Sequence, residues 1–230
     1  MFENIIKNVH NRHPLIHCIT NYVSINDCAN IVLACGGAPI MAEDINEVSQ
    51  ITSICQGLDI NIGMLNDNKL SSMLKAGATA NELGIPVILD PVGAGSSDYR
   101  IKAVQNLMSN VQFGVIRGNV SEIKAIAAKQ GIHNIAAGVY ETMQKNKSAM
   151  GVEAGIADKI TDDNIKEMAD FINKLSQKTG AVIAVTGGID MVADENRVYA
   201  IRNGHKMMSL VTGAGCQLSA LTSAYTVADT

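Results

Sequence analysis

Five short apolar runs punctuate the chain, at residues 15–20 (LIHCIT), 58–63 (LDINIG), 86–93 (PVILDPVG), 114–119 (GVIRGN) and 181–188 (AVIAVTGG). Their length and near-continuous apolar character predict strands buried on both faces of a parallel sheet. Between them, residues 24–37, 68–84 and 161–180 carry apolar positions at helical spacing, with Ser24 a candidate N-cap for the first. Alternating strand and helix patterns of this kind predict an α/β fold with a mostly parallel sheet covered on both sides. Two later segments read differently. Residues 190–203 (DMVADENRVYAIRN) suggest a hairpin around Asp194-Glu195-Asn196, and residues 211–225 (VTGAGCQLSALTSAY) suggest a small-residue turn opening a helix with Leu218, Leu221 and Ala224 on its apolar stripe. Residues 131–160 are the least patterned. They are read as a surface insertion with one helix through Ile135, Val139 and Met143, within a single domain spanning 1–230.

In open α/β sheets ligands collect at the carboxyl ends of the strands. Here those ends carry Thr20-Asn21, Gly63, Asp90-Pro91, Arg117-Gly118-Asn119 and Thr186-Gly187-Gly188. Composition narrows what they could bind. The 230 residues are 47% hydrophobic, with 18 basic and 22 acidic side chains, no Trp and only eight Tyr and Phe together. Without a basic stripe or stacking platforms, nucleic acid and anionic membrane are not expected partners. Residues 1–14 hold no long apolar run, which predicts neither a secretion signal nor a membrane helix. The five cysteines are odd in number and contain no C-x-x-C pair, a pattern expected of reduced thiols in a cytoplasmic protein.

The chain has neither a P-loop nor a G-x-G-x-x-G after a strand. It offers instead a Gly-rich helix start at 212–215, the strand-end acid Asp90, and Arg117 with Glu122 five positions on. Those are the parts phosphoryl transfer needs: backbone N–H groups for the moving phosphoryl, carboxylates for Mg²⁺ and a cation for polyphosphate charge. Each has a plainer reading. Asp90 could simply close a strand, Arg117 and Glu122 could form an ion pair at a helix start, and the glycines could make only a tight turn. His10, His13 and His17 straddle a helix-to-strand break and are not expected to share a metal. Met41, in a turn after residues 36–39, is positioned to wall a small organic ligand.

From about Leu15 to Tyr225 the chain resembles the hydroxyethylthiazole kinases, ribokinase-like enzymes of thiamine salvage. The resemblance rests on HCITNYVSINDCAN, GGAPIMAED, LDPVGAG, VIRGNVSEI, AVTGGIDMV, AIRNGH and VTGAGC in that order. It implies a ribokinase-like three-layer α/β/α fold. It also implies transfer of the γ-phosphoryl of ATP, with Mg²⁺, to the hydroxyl of 4-methyl-5-(2-hydroxyethyl)thiazole. By the same resemblance, Met41, Gly213 and Asn21 are substrate contacts, Asp90 and Glu122 organise Mg²⁺, and Arg117 and Thr186 meet the ATP phosphates. Gly213, Ala214, Gly215 and Cys216 form the anion hole. A homotrimer with sites between subunits is implied as well.

Related sugar and pyrimidine kinases end the last motif with Asp, whose carboxylate accepts the substrate's hydroxyl proton; here the position is Cys216. A thiol of ordinary pKa, about 8.5, is only a few per cent thiolate at neutral pH. Cys216 is therefore expected to pack on the hydroxyethyl arm and accept its proton weakly. Two departures from the family are expected to matter: an insertion at about 131–155, and the absence after Thr230 of the helical part that covers the nucleotide. Two other functions stay open at this point. One is a hydroxymethylpyrimidine-type kinase, and the other is a nucleotide-binding regulatory module with little catalysis.

Overall fold

The computed structural model describes residues 2–131 and 159–228. In chain order its elements are α1 (Phe2–Arg12), β1 (Leu15–Ile19), α2 (Ile25–Ala34), β2 (Ala38–Ile40), α3 (Val48–Ile54), β3 (Gly57–Asn61), α4 (Asp67–Glu82) and β4 (Val87–Asp90). There follow α5 (Asp98–Asn110), β5 (Val115–Asn119), α6 (Val120–Lys129), α7 (Ile165–Thr179), β6 (Val182–Thr186), β7 (Asp190–Ala193), β8 (Val198–Ile201), a 3₁₀ turn (Lys206–Leu210) and α8 (Ala214–Thr226). They fall into two compact units. The first comprises Met1–Asp90, Leu107–Gly114 and Ser209–Thr230; the second comprises Pro91–Asn106 and Val115–Met208.

In the first unit four parallel strands run in the order β2-β1-β3-β4. Ile16, Ile19, Leu58, Ile60, Ile88 and Leu89 are wholly buried, as the continuous apolar runs required. Helices α1, α2 and α8 lie together on one side, and α3 and α4 pack together on the other. The parallel register brings Asn61 level with Asp90 at the carboxyl ends of β3 and β4. That pairing positions the candidate chemistry.

Helix α8 corrects the expected stripe. Its buried residues are Cys216, Ser219, Ala220, Ser223 and Ala224, whereas Leu218 is exposed. Small side chains at i, i+3, i+4, i+7 and i+8 allow close approach to α2 and the sheet, so the packing face is chosen by size and not by hydrophobicity. Ser24 is the N-cap residue of α2, as expected, but makes no side-chain capping bond. Residues 38–40, which run into the turn expected at Met41, form the short strand β2 beside β1. Strand β2, with three residues, and helix α3, with seven, are too short to announce a period, and α5 was also not anticipated.

The second unit orders its strands β5-β6-β7-β8, with β5 and β6 parallel and the last two pairings antiparallel. The expected hairpin at 190–203 is β7 and β8, turned by Asp194, whose Oδ1 accepts the N–H of Asn196 and Arg197 at 2.8 and 2.7 Å. Helix α7 buries Met168, Phe171, Ile172 and Leu175 at i, i+3, i+4 and i+7. It stops at Gly180, whose φ of 72° is the left-handed C-cap that glycine adopts without strain. The expected helix through Ile135, Val139 and Met143, and most of the expected insertion, lie outside the described residues.

Candidate active site

The first unit carries a chain of polar side chains in an otherwise apolar interior. Ser219 Oγ and Asn61 Nδ2 donate to Oδ2 of Asp90 at 2.9 and 2.8 Å. Asn61 Oδ1 in turn accepts from Asn21 Nδ2 at 3.1 Å and from the Gly63 N–H at 2.9 Å. Asn21 Nδ2 also donates to Cys216 Sγ at 3.2 Å, while its Oδ1 accepts the N–H groups of Val23 and Ser24. All five side chains are buried, with Asn61, Asp90 and Ser219 at zero exposure.

This chain fixes the orientation of both amides. An ionised Asp90 carboxylate can only accept, so Asn61 presents its NH₂ to it and its oxygen to Asn21. The Asn21 oxygen is committed to two backbone N–H groups, so its NH₂ faces the thiol. Cys216 is therefore a hydrogen-bond acceptor here. Gly63 leaves room for the pair, because a Cβ there would lie 2.8 Å from Asn21 Nδ2 and 2.9 Å from Asn61 Oδ1.

Cys216 sits in the first turn of α8, whose N-cap is Gly213 with φ of 75°. The Ala214 N–H turns back to Val211 O at 3.3 Å, and the Gln217 N–H opens the helical ladder on Gly213 O. The Gly215 and Cys216 N–H groups have no acceptor within the helix, which suits this end to an anion. Burial is the largest effect on the Cys216 thiol and pushes its pKa up, and the Asp90 carboxylate pushes the same way. Hydrogen bonds from Ser24, Asn21 and Asn61 oppose this without reversing it, so the group is a thiol at neutral pH.

The second unit organises the other candidates. Asn119 caps α6: its Oδ1 accepts the Glu122 N–H at 2.9 Å, and Glu122 Oε2 accepts the Asn119 N–H at 2.8 Å. Glu122 Oε1 accepts the Gly93 N–H at 2.8 Å. Glu122 does stand in the first turn of a helix, and a backbone N–H anchors each of its oxygens. Gly118 gives it space, since a Cβ there would lie 3.1 Å from Oε2. Asn119→Ala removes one half of the box and is expected to lower stability by about 1–2 kcal/mol, read as a lower thermal midpoint.

Strands β5 and β6 bring Arg117 to Thr186: the guanidinium Nη2 donates to Thr186 Oγ1 at 2.6 Å. Arg117 is buried and Thr186 half-buried, with exposed Gly187 and Gly188 following it. The Gly187 N–H is held by Asp190 Oδ1 at 2.8 Å. A Cβ on Gly204 would lie 3.1 Å from the carbonyl oxygens of both Gly187 and Gly188, so this glycine lets the later turn close over them.

Met41 is half-buried directly after the edge strand β2. His17 is buried in the core between Thr52 Oγ1 and the Ala42 carbonyl, while His13 meets the Gly36 carbonyl. The reading from sequence did not single out Asn61, Ser219 or Ser24 as site residues. Asn61 had a signal, an amide at the polar end of LDINIG. Ser219 had another, lying three residues after Cys216 on the same helix face.

A sequence model of the hydroxyethylthiazole kinase family matches residues 6–229. The chain is 52% identical over 229 residues to a hydroxyethylthiazole kinase of Clostridium acetobutylicum, covering all of this chain and 78% of the relative. Its fold matches the solved hydroxyethylthiazole kinase protein of Pyrococcus horikoshii OT3 with a TM-score of 0.81 at 32% identity, over 99% of this chain and 77% of that one. A ribokinase-like superfamily protein of Enterococcus faecalis V583 shares the fold at a TM-score of 0.58 and 10% identity, over 97% of this chain and 73% of that one.

Proposed function

The chain belongs to the hydroxyethylthiazole kinase family, and from that premise we propose how its residues phosphorylate the hydroxyl of hydroxyethylthiazole. ATP supplies the phosphoryl group. The alcohol oxygen attacks the γ-phosphorus, the bond to the ADP oxygen breaks, and the hydroxyl proton passes to water or to an oxygen of the transferred phosphoryl group as the new O–P bond forms. The observation that carries the reading is the Cys216 thiol, held by Asn21 at the N-terminus of α8. At that end, backbone N–H groups meet the charge of the transferring group.

Gly213, Ala214, Gly215 and Cys216 form this anion hole. Asn21, Gly213 and Met41 hold the thiazole alcohol. Arg117, whose guanidinium is fixed by Thr186, and Thr186 itself bind the ATP phosphates. The carboxylates of Asp90 and Glu122 suit a hard cation: both are oxygen donors fixed by hydrogen bonds, and each oxygen has two lone pairs. These two residues would hold Mg²⁺, in part through water, and the ion would supply charge neutralisation on the phosphates.

A protonated thiol is a poor general base, so turnover here leans on positioning and electrostatics. We expect Cys216→Ala to retain measurable turnover and Cys216→Asp to exceed the parent. General-base assistance of about 10²–10⁴-fold bounds what a better base could add. A folded alanine variant with no activity at all would make the thiol indispensable and overturn this role.

A cytoplasmic homotrimer with sites between subunits completes the proposal. The five described cysteines are all unbridged, which supports a reducing compartment. The family match disfavours the pyrimidine-kinase and binding-only readings. The decisive experiment follows ADP release with ATP and Mg²⁺ in the presence of hydroxyethylthiazole, hydroxymethylpyrimidine or no acceptor. Release that depends on the thiazole is expected; release that depends only on the pyrimidine, or none from folded protein, overturns the reading.

A further inference from the structure

Lys69 runs against its local preferences. It is the third residue of α4, in the first helical turn, where the helix dipole disfavours a cation. Its side chain is only 3% exposed, although burying an ammonium costs several kcal/mol unless it is paired. Local rules broken in this way point to a tertiary purpose.

The ammonium has three partners. It donates to the carbonyl oxygen of Thr20, pairs with Glu43 Oε2 at 2.7 Å, and lies 4.6 Å from the centroid of the Tyr22 ring. The Tyr22 hydroxyl donates to the other oxygen of Glu43, which closes the group into a ring. Burial acts to raise the Glu43 pKa, but bonds from Lys69 and Tyr22 and the lysine charge outweigh it and keep Glu43 ionised. Thr20 and Tyr22 flank Asn21, and Glu43 follows Met41 by two residues.

We propose that Lys69 is a positioning residue for the thiazole alcohol, its ammonium holding the loop after β1, with Asn21, and the loop after β2, with Met41, in one frame. This rests on the kinase reading of the same site. Thr20 and Tyr22 are gripped on either side of Asn21, which fixes the backbone from which the Asn21 amide reaches Cys216. Glu43 extends the same grip to the Met41 segment. A cation is required because it alone serves a carbonyl, a carboxylate and a ring face together.

The test compares Lys69→Met and Glu43→Gln with the parent enzyme, measuring KM separately for hydroxyethylthiazole and for ATP. Loss of the ammonium that ties the two loops predicts a roughly tenfold higher thiazole KM in Lys69→Met, with ATP KM within about twofold. A role in stability alone would lower the thermal midpoint and leave both KM values unmoved, which overturns the proposal. Should Lys69→Met not fold, Glu43→Gln, altered at the half-exposed end of the pair, carries the test. It is expected to raise the thiazole KM by about threefold, and an unchanged value overturns the proposal.

Amide hydrogen exchange separates this idea from the kinase reading. If the parent protein gave no thiazole-dependent turnover, that reading would fail, and the frame would be judged by exchange alone. Breaking the frame is expected to speed exchange about tenfold or more at both residues 20–24 and 41–46. Unchanged exchange in either loop of the altered protein overturns the frame.

Discussion

Gly213→Ala is expected to lower kcat/KM by about 100-fold and the thermal midpoint by roughly 5–10 °C. Two effects combine at this position. The φ of 75° is left-handed, which costs a residue with a Cβ about 1–2 kcal/mol. The new Cβ would also lie 2.7 Å from Ser24 Cβ, an atom one bond from the backbone that cannot turn away. Either Ser24 or the start of α8 must shift, and both border the site. The Ser24 N–H is bonded to Asn21 Oδ1, and α8 carries Cys216. Gly84→Ala isolates the backbone term: φ there is 69°, and nothing lies within 4 Å of an added Cβ. It should lose about 1 kcal/mol and keep the parent's kcat/KM. A Gly213→Ala protein with the parent's kcat/KM would remove the turn from the proposed site.

Asp90→Asn is expected to reduce turnover by about 10²–10³-fold with little loss of fold, measured as kcat at saturating thiazole and ATP together with the thermal midpoint. The substitution is nearly isosteric. Its remaining oxygen can still accept from Asn61 Nδ2 and Ser219 Oγ, as Oδ2 does in the parent. What disappears is the negative charge that the proposed mechanism assigns to Mg²⁺, so the fall should appear in turnover more than in thiazole KM. Asn61→Leu makes the opposite cut, keeping the Asp90 charge while freeing Asn21 from its acceptor. It should raise the thiazole KM and destabilise a wholly buried carboxylate that loses one of its donors. Full activity in Asp90→Asn would exclude Asp90 from the metal site and with it the proposed division of roles.

Both variants exploit features that differ in how far the sequence discloses them. The α/β class was readable because continuous apolar runs and helical spacing are local periodic signals, each contained in one stretch of chain. The hairpin at 190–203 and the Gly-rich opening of α8 were readable for the same reason. Capping chemistry was partly readable: Asn119 and Glu122 stand three residues apart, the spacing of a capping box, though Glu122 was read as a metal acid or an ion-pair partner. On α8, hydrophobicity misplaces the packing face because side-chain size sets it. Close packing on α2 selects Ser219, Ala220, Ser223 and Ala224 and leaves Leu218 outside.

Short-range pattern alone carries the class of fold, the order of the motifs and the residue types at the strand ends. Packing of the whole core is what joins Asn21, Asn61, Asp90, Cys216 and Ser219, separated by up to 198 positions, into one hydrogen-bonded chain. It alone decided that Lys69 spans two loops. Hydrogen bonds are directional and reach only about 3 Å, so they depend on strand register and helix approach. Those are set when the whole core packs, and no single stretch of sequence records them.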